Sequence, residues 1–378
     1  MVTDDLTDLP LAGLSAEWMS RFAEGDQAFE LTFTPNDGLG PLYIRQSCAA
    51  CHAGGGRGPG FVEKMAQLSA DGVTPVPGAP ALPLGHTVRR RTTGPSVRPL
   101  VPPDDDPSIH LSQRSGLAVW AVGAMEAISD ETVLALEAAQ ALRTDGVSGR
   151  ANWVTYTSAA NPDTRFHQSA TGDRVLGRFG AKARIGHLDD FAADAFLGDM
   201  GLTSPLRPTE TPNPDGLADD GKEGLDVDLE RLNAVADYLR TLRIPARAAP
   251  TMAGQEAFRS AGCDVCHVPS LPTRADWPVQ PLQGKEVAVF TDLLLHDLGA
   301  SFADGLVEGD ARSAEFRTAP LAGLRFMPSY LHDGRAHSIE EAIRLHGAAD
   351  SEAHAAVTAF DALPATSREA LLEFVSSL

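Results

Sequence analysis

All four cysteines of this chain lie in two copies of one five-residue pattern. The copies read Cys48-Ala49-Ala50-Cys51-His52 and Cys263-Asp264-Val265-Cys266-His267. The pattern C-x-x-C-H is the attachment site of c-type haem, in which both thiols bond to the porphyrin and the histidine ligates iron. A redox dithiol needs no following histidine, and a zinc site needs a second pair of ligands close by. The sequence therefore predicts two covalent haems, with His52 and His267 as the proximal iron ligands.

The stretches around the two motifs are alike, which indicates an internal duplication. Residues 254–258 predict a short helix leading into the second motif, and residues 38–43 are expected to play the same part before the first. Residues 234–242 and 370–378 both predict amphipathic helices with an aromatic and a terminal leucine at matching positions. In cytochrome c domains, a final helix of this kind packs across the helix that precedes the haem motif.

Length and proline content suggest where the chain divides. A chain of 378 residues is long enough for about two domains. Pro245 and Pro250 follow the first amphipathic helix and mark a linker. We expect a mainly α fold of two cytochrome c-like domains with long loops and one covalent haem each. The N-terminal domain spans 1–243 with large insertions, the linker 244–252, and the C-terminal domain 253–378.

Composition excludes some partners. The net charge of −20 disfavours nucleic acid and anionic membrane surfaces and suits a small basic electron carrier. No apolar run is long enough to span a bilayer. The first residues lack the basic region and apolar stretch of a signal peptide. Because haem is attached to C-x-x-C-H outside the cytoplasmic membrane in bacteria, we expect a periplasmic protein whose leader has been removed.

Segments outside the motifs carry a family resemblance. They are residues 38–42, 54–58, 177–180, 196–201, 291–299, 330–336, 340–343 and 346–347. Together with the motifs they resemble the di-haem oxidoreductase family, also described as thiol oxidoreductases or peroxidases and related to bacterial di-haem cytochrome c peroxidases. The chain departs from the family at Ala181, where an aromatic residue is expected. It is also shorter between the first motif and Gly177.

The sixth ligand of each iron decides between carrier and enzyme. For the C-terminal haem, Ser338 and Glu341 predict a capping box, and His346 lies on the apolar face of the helix that follows. Related peroxidases place a distal ligand in the corresponding helix, so His346 is the predicted ligand and Met327 the second choice. The alternative is a core imidazole bonded to a carbonyl. The resemblance implies that His332 supports the haem through a propionate, and Arg317 is expected to bind the cofactor.

The sequence offers several candidate distal residues for the N-terminal haem. His86, His110 and Met125 are possible distal ligands, and the enzymatic hypothesis leaves this iron open or closed by a ligand that departs. Glu126 is the predicted acid–base group because it is a lone carboxylate in an apolar run. The alternative for Glu126 is a helix carboxylate that faces solvent. Gln113 is expected to assist it.

Related peroxidases hold a calcium ion between their domains, partly through a Thr-x-Pro segment. Thr318 and Pro320 have this spacing, and backbone oxygens suit Ca²⁺. The resemblance therefore implies one Ca²⁺ at this segment in addition to the two haems.

The resemblance implies peroxide-linked oxidation. The C-terminal haem would take electrons from a small redox protein or another donor, and the N-terminal haem would reduce hydrogen peroxide. One alternative is a non-catalytic di-haem electron carrier with both irons closed. Another is an oxidase of a protein side chain or a thiol.

Overall fold

The computed structural model describes residues 8–56, 61–70, 74, 82–103, 106–218, 221–245 and 251–378. Within these residues the fold is mainly helical, as predicted, with nine α-helices and five small antiparallel sheets. The helices are α1 (Ala16–Glu30), α2 (Val122–Ala127), α3 (Asp130–Gln140), α4 (Leu188–Met200), α5 (Leu229–Thr241), α6 (Met252–Ser260), α7 (Ile339–Leu345), α8 (His354–Ala362) and α9 (Ala365–Ser376).

Each sheet has two strands. The pairs are β1 (Leu42–Tyr43) with β3 (Arg91–Thr92), β2 (Phe61–Gln67) with β4 (Ile109–Ser115), β5 (Trp153–Thr155) with β6 (Arg174–Leu176), β7 (Leu271–Pro272) with β8 (Glu286–Val287), and β9 (Leu295–Asp297) with β10 (Glu315–Arg317). The short strands close loops between helices and form no layer of their own. None of the helices in the described ranges is long and apolar enough to cross a bilayer.

Two helix crossings repeat the same contact. Helix α1 packs across α5, and α6 packs across α9. A Cβ atom at Gly25 of α1 would lie 2.1 Å from the Ala234 carbonyl oxygen and 2.5 Å from the Cβ of Tyr238. At Gly254 of α6, the matching distances to Ala370 and Phe374 are both 2.6 Å. A glycine thus meets an Ala-x-x-x-aromatic face in both halves, which confirms the predicted duplication of the helix pair.

The helix before the first motif lies further upstream than predicted. Residues 38–43 do not form it: they contain the end of a 3-10 turn and strand β1. Gly38 and Gly40 have φ angles of 97° and 109°, and Pro41 follows, so this stretch cannot continue as a helix. The equivalent of α6 is α1, which Ser15 begins by accepting a hydrogen bond from the Trp18 amide.

The hydrophobic core joins the two halves. The largest cluster surrounds α1, α2, α4 and α5, and it also contains Trp277, Val279 and Leu293 from the C-terminal half. A smaller cluster around α6 and α9 contains Phe258, Phe290 and Phe374. The predicted domain boundary stays a prediction, because residues 246–250 of the linker lie outside the described residues. The shared core fixes the two motif-bearing units against each other.

Candidate haem-binding sites

Both C-x-x-C-H motifs fold as one tight turn. The amide of His52 donates to the Cys48 carbonyl at 2.9 Å, and the amide of His267 donates to the Cys263 carbonyl at 3.0 Å. All four cysteines are half-buried and form no disulfide. Burial raises the pKa of Cys48 to about 12, and that of Cys263 likewise to about 12. The thiols are therefore protonated, unpaired and close together, as attachment to a porphyrin requires.

The two motif histidines are held in the same way. Nδ1 of His52 lies 3.3 Å from the Gly56 carbonyl oxygen, and Nδ1 of His267 lies 3.1 Å from the Phe290 carbonyl oxygen. A carbonyl acceptor places the proton on Nδ1, which leaves Nε2 of His267 as the metal-binding atom. The His52 ring has the Leu117 carbonyl as a second backbone partner. The arrangement supports His267 as a proximal ligand, and His52 stays a prediction from its motif.

A second imidazole lies near His267. Burial and the nearby charge of His346 lower the pKa of His267 to about 4. His346 follows the last residue of α7, and its Nδ1 donates to the Ala342 carbonyl at 2.7 Å. The expected alternative, a core imidazole bonded to a carbonyl, therefore accounts for only one ring nitrogen. Nε2 remains for iron, which supports His346 as the sixth ligand.

The predicted capping box at α7 is present with one change. The Glu341 amide donates to Ser338 Oγ at 3.1 Å, as predicted. The Glu341 carboxylate accepts from the His337 amide at 2.7 Å, one residue earlier than expected. Both bonds fix the start of the helix that carries His346 at its end.

Aromatic rings line the same side of the C-terminal site. Phe302 lies 5.8 Å from the His346 ring and 5.7 Å from the His332 ring. His332 stacks on Phe316 at 4.0 Å, and burial lowers its pKa to about 4. Met327 is half-buried just after a 3-10 turn. His332 as a propionate partner and Met327 as the second-choice ligand both stay predictions.

Charged groups surround the N-terminal site instead. Lys64, Arg184, Asp194 and Asp199 are only half-buried, yet burial is the largest single influence on the pKa of each. Each of the four also shifts the pKa of others in the set, so they lie close together, and we call them the N-terminal wall. The negative charge of Asp199 raises the pKa of both thiols of the first motif, so this wall lies beside the first motif.

Asp199 differs from the other residues of this wall in its partners. Arg184 pairs with Asp194, and Lys64 donates to Thr87 at 2.7 Å. The Asp199 carboxylate forms no ion pair with any residue that the structure describes. Burial raises its pKa, and the nearby Asp194 raises it too, against the opposing charge of Lys64. Asp199 is therefore a protonatable carboxyl group that sequence reasoning missed.

Glu126 does not have the predicted acid–base setting. Its side chain is buried, and its carboxylate accepts from Arg240 Nε at 2.7 Å, from Arg240 Nη2 at 3.2 Å and from the Leu188 amide at 2.8 Å. Nor does it face solvent, the alternative weighed above. A buried carboxylate needs such partners, and here they occupy both oxygens. Glu126 ties α2 to α5 and to the start of α4, and this setting gives no support to its acid–base role, which stays a prediction.

The other residues predicted near the N-terminal iron are dispersed. Gln113 is exposed on β4 opposite Glu63, a setting that gives no support to a catalytic role. His110 is exposed on the same strand. Met125 is packed in the large core. His86 donates from Nδ1 to the Met65 carbonyl at 2.8 Å, and no titratable side chain in the described ranges shifts the pKa of His52.

The predicted calcium segment is already satisfied. The Thr318 carbonyl accepts from Thr291 Oγ1 at 2.6 Å and from Arg317 Nη1 at 2.8 Å. Pro320 is half-buried in the same loop. A carbonyl oxygen has two lone pairs, so that of Thr318 is not free for a metal. The Ca²⁺ ion at Thr318 and Pro320 stays a prediction, to which the Thr318 carbonyl gives no support.

A lysine ties the two halves together near this loop. Lys182 has no exposed surface, and its Nζ donates to the carbonyls of Arg312, Ser313 and Glu315 at 2.8, 2.7 and 2.9 Å. Asp304 lies 3.2 Å away. An ammonium group from the N-terminal half therefore fills a cage of oxygens in the C-terminal half.

A family model described as "Di-haem oxidoreductase, putative peroxidase" matches residues 103–378. The chain belongs to this family. The match covers the second motif and begins after the first. No curated protein matches the chain in sequence.

Three solved structures are similar to this di-haem oxidoreductase at low identity. Hydrazine synthase of Kuenenia stuttgartiensis is 14% identical, with 99% of this chain and 90% of that chain covered and a TM-score of 0.38. The di-haem peroxidase of Burkholderia thailandensis is 17% identical, with 85% and 70% covered and a TM-score of 0.37. A single-residue variant of that peroxidase is 16% identical, with 89% and 72% covered and a TM-score of 0.37.

Two buried arginines test whether this di-haem oxidoreductase fits a haem at its second motif. Arg317 is 6% exposed and donates only to carbonyls, with no carboxylate within ion-pair distance among the described residues. Burial lowers its pKa to about 10. Arg325 has Nε and Nη2 buried with no hydrogen-bond partner in the same ranges. Buried guanidinium groups without an acid call for an anionic group, and haem carries two propionates.

Arg325 also lies in the right part of the molecule. The preceding residue, Leu324, packs on the cluster that contacts Cys263, and Arg325 Nη1 donates to the Ser377 carbonyl at 3.4 Å. The residues at the second motif therefore fit a haem: two thiols, two imidazoles with free Nε2 atoms, and unpaired positive charge. Sequence reasoning missed Arg325, because an isolated arginine in a loop carries no signal of burial.

Proposed function

We propose that this di-haem oxidoreductase is a peroxidase that binds one c-type haem covalently at each C-x-x-C-H motif. It would use electrons from a donor protein to reduce hydrogen peroxide. The observation that carries the proposal is the asymmetry of the two sites: His346 lies near His267, and no comparable imidazole acts on His52 among the described residues. A closed iron suits electron transfer, and an open iron suits a substrate.

Haem supplies, when bound, the redox-active iron that neither half of the polypeptide provides. The chain's own residues would orient it. The Nδ1 bond to Phe290 holds His267 in the ligating tautomer, and the bond to Ala342 does the same for His346. Arg317 and Arg325 would bind propionate at the C-terminal site.

Asp199 is our candidate for moving the proton that peroxide cleavage requires. General acid–base catalysis needs a group whose pKa lies near the working pH, and burial moves that of Asp199 upward. A protonated Asp199 carboxyl would give its proton to the departing oxygen of the peroxide. Burial lowers the pKa of Lys64 to about 8, and the positive charge of Lys64 would balance the negative charge of Asp199.

Trp120 offers a route between the two sites. Its indole Nε1 donates to the Gly54 carbonyl at 3.0 Å, two residues after His52. Its ring meets the Phe326 ring edge-on at 5.6 Å, next to Arg325 and Met327. Trp120 would serve as the aromatic bridge that Ala181 does not provide.

The proposed donor is a small basic redox protein, in keeping with the net charge of −20, and the proposed location is the periplasm. A purely electron-carrying role is the competing function. It requires both irons to be closed at rest and to stay closed after reduction.

Low-temperature EPR of the diferric holoprotein separates these functions. We expect one low-spin and one high-spin signal, and we expect His346→Ala to convert the low-spin centre to high spin. Met327→Leu is the matched control, and it should leave both signals in place. Two low-spin signals, with no peroxide turnover after partial reduction, would establish the carrier and end the peroxidase proposal.

A further inference from the structure

Three charged side chains meet beside Cys266. His296 Nε2 lies 2.9 Å from an Asp292 oxygen, and His296 Nδ1 lies 2.8 Å from a Glu352 oxygen. Nδ1 is also 3.7 Å from the Cys266 sulfur. Asp292 and His296 are almost completely buried, and Glu352 is partly buried. We refer to Asp292, His296 and Glu352 as the charge clamp.

Hydrogen-bond directions fix the charges in the clamp. Asp292 accepts from the Gln140 amide at 2.8 Å and from the Leu294 amide at 3.0 Å, as well as from His296. Glu352 accepts from the amides of Ser148 and Asp297 at 3.0 and 3.2 Å. Amide groups thus donate to all four carboxyl oxygens, which stabilises both groups as carboxylates.

The ring of His296 must then donate from both nitrogens, which makes it an imidazolium. Burial alone lowers the pKa of His296, but hydrogen bonds to Asp292 and Glu352 oppose burial, and that pKa lies well above its usual value. Two carboxylates and one imidazolium leave the clamp with one net negative charge.

The clamp also ties the second motif to the N-terminal half. Gln140, at the end of α3, donates to Asp292 and to the Val265 carbonyl at 3.1 Å inside the motif. Its own carbonyl accepts from the Gly149 amide at 2.9 Å. Residues of both halves of the chain therefore hold the second motif near Cys266.

We propose that His296 is a positioning residue. Together with Asp292 and Glu352, it holds Cys266 in place and lowers the reduction potential of the haem bound at the C-terminal site. Negative charge in a buried setting favours the ferric over the ferrous state because the ferric haem carries one more positive charge. The inference rests on the proposed haem at Cys263 and Cys266, and it is independent of peroxide turnover.

Redox titration of the holoprotein tests this with two variants of opposite charge effect. Glu352→Gln removes one negative charge and keeps an acceptor for His296, so the potential of the C-terminal haem should rise. His296→Gln removes the positive charge, so that potential should fall. The N-terminal haem should keep its potential in both variants. Glu369→Gln, an exposed carboxylate on α9, is the control and should move neither haem.

Shifts of the same sign in both variants, or no shift of the C-terminal potential, overturn the proposal. If His296→Gln fails to bind haem, Glu352→Gln decides alone: an unchanged potential contradicts the clamp. A protein with no peroxide turnover whose potentials move as stated keeps this inference and loses the proposed peroxidase. If peroxide turnover is normal and the potentials do not move, the peroxidase proposal stands and this inference fails.

Discussion

The two motif sites share a frame and differ in what surrounds it. Each has a glycine-bearing entry helix, a closing helix with an Ala-x-x-x-aromatic face, the same motif turn, and a proximal histidine tied by Nδ1 to a carbonyl. The C-terminal site adds His346 and the rings of Phe302 and Phe316, whereas the N-terminal site adds Lys64, Arg184, Asp194 and Asp199. The repeated segments thus give both sites the same helix pair and motif turn, and residues outside the repeat make the two sites chemically different.

The largest expected difference between the halves concerns stability. Arg240 of α5 binds Glu126, and the matching position of α9 is Ser376, so the C-terminal half has no such pair. Glu126→Gln removes one of three carboxylates around the buried Arg240, the others being Asp237 and Asp189, and should lower the free energy of unfolding by about 2 to 3 kcal/mol. Chemical denaturation measures this, with exposed Glu373→Gln of α9 as the control. Unchanged stability together with lost turnover would restore Glu126 as a catalytic group.

The next effect separates the sites by chemistry. Asp199→Asn keeps the size of the side chain but removes its proton, so peroxide turnover should fall about a hundredfold. Asp173→Asn, at an exposed position outside both motifs, should leave turnover unchanged. Steady-state rates at constant haem content give the comparison, and equal losses in both variants would contradict the assignment.

The helix crossings should differ in tolerance. Gly25→Ala places a Cβ 2.1 Å from a backbone oxygen, and Gly254→Ala places one 2.6 Å away, so both force the helices apart. We expect a loss of about 2 kcal/mol for Gly25→Ala and a smaller loss for Gly254→Ala. Gly198→Ala in α4 meets nothing within 4 Å and is the control. Thermal unfolding of the three variants would rank them, and a reversed order would show that the two crossings are not equivalent.

The smallest effect is a pH dependence that belongs to the C-terminal half alone. Hydrogen bonds to Asp292 and Glu352 oppose burial and raise the pKa of His296 above its unfolded value. This stabilisation is complete below about pH 6.5 and is lost as pH rises through the higher folded pKa. Denaturation at several pH values should show it in the natural protein and not in His296→Gln.

Local patterns predicted the parts of the sites that are local in sequence. The C-x-x-C-H motifs, the Ser338 cap and the placement of His346 each depend on residues within eight positions of one another. Glu126 could not be interpreted in this way, because its partner Arg240 lies 114 residues away. The same holds for the N-terminal wall, whose members come from β2, α4 and the segment between β6 and α4. The first entry helix was misplaced because a loop and a strand separate α1 from its motif, whereas α6 adjoins its own.

The contacts that Lys182 makes between the two halves do not depend on the supply of a metal ion. A metal ion at such a cage of oxygens is lost by dilution or to a chelator, and its occupancy follows the supply of that metal. An ammonium group carried on the chain is present in every molecule at a ratio of one to one. The tie that it makes between the halves is therefore inherited with the polypeptide, and a chelator such as EDTA has nothing there to remove.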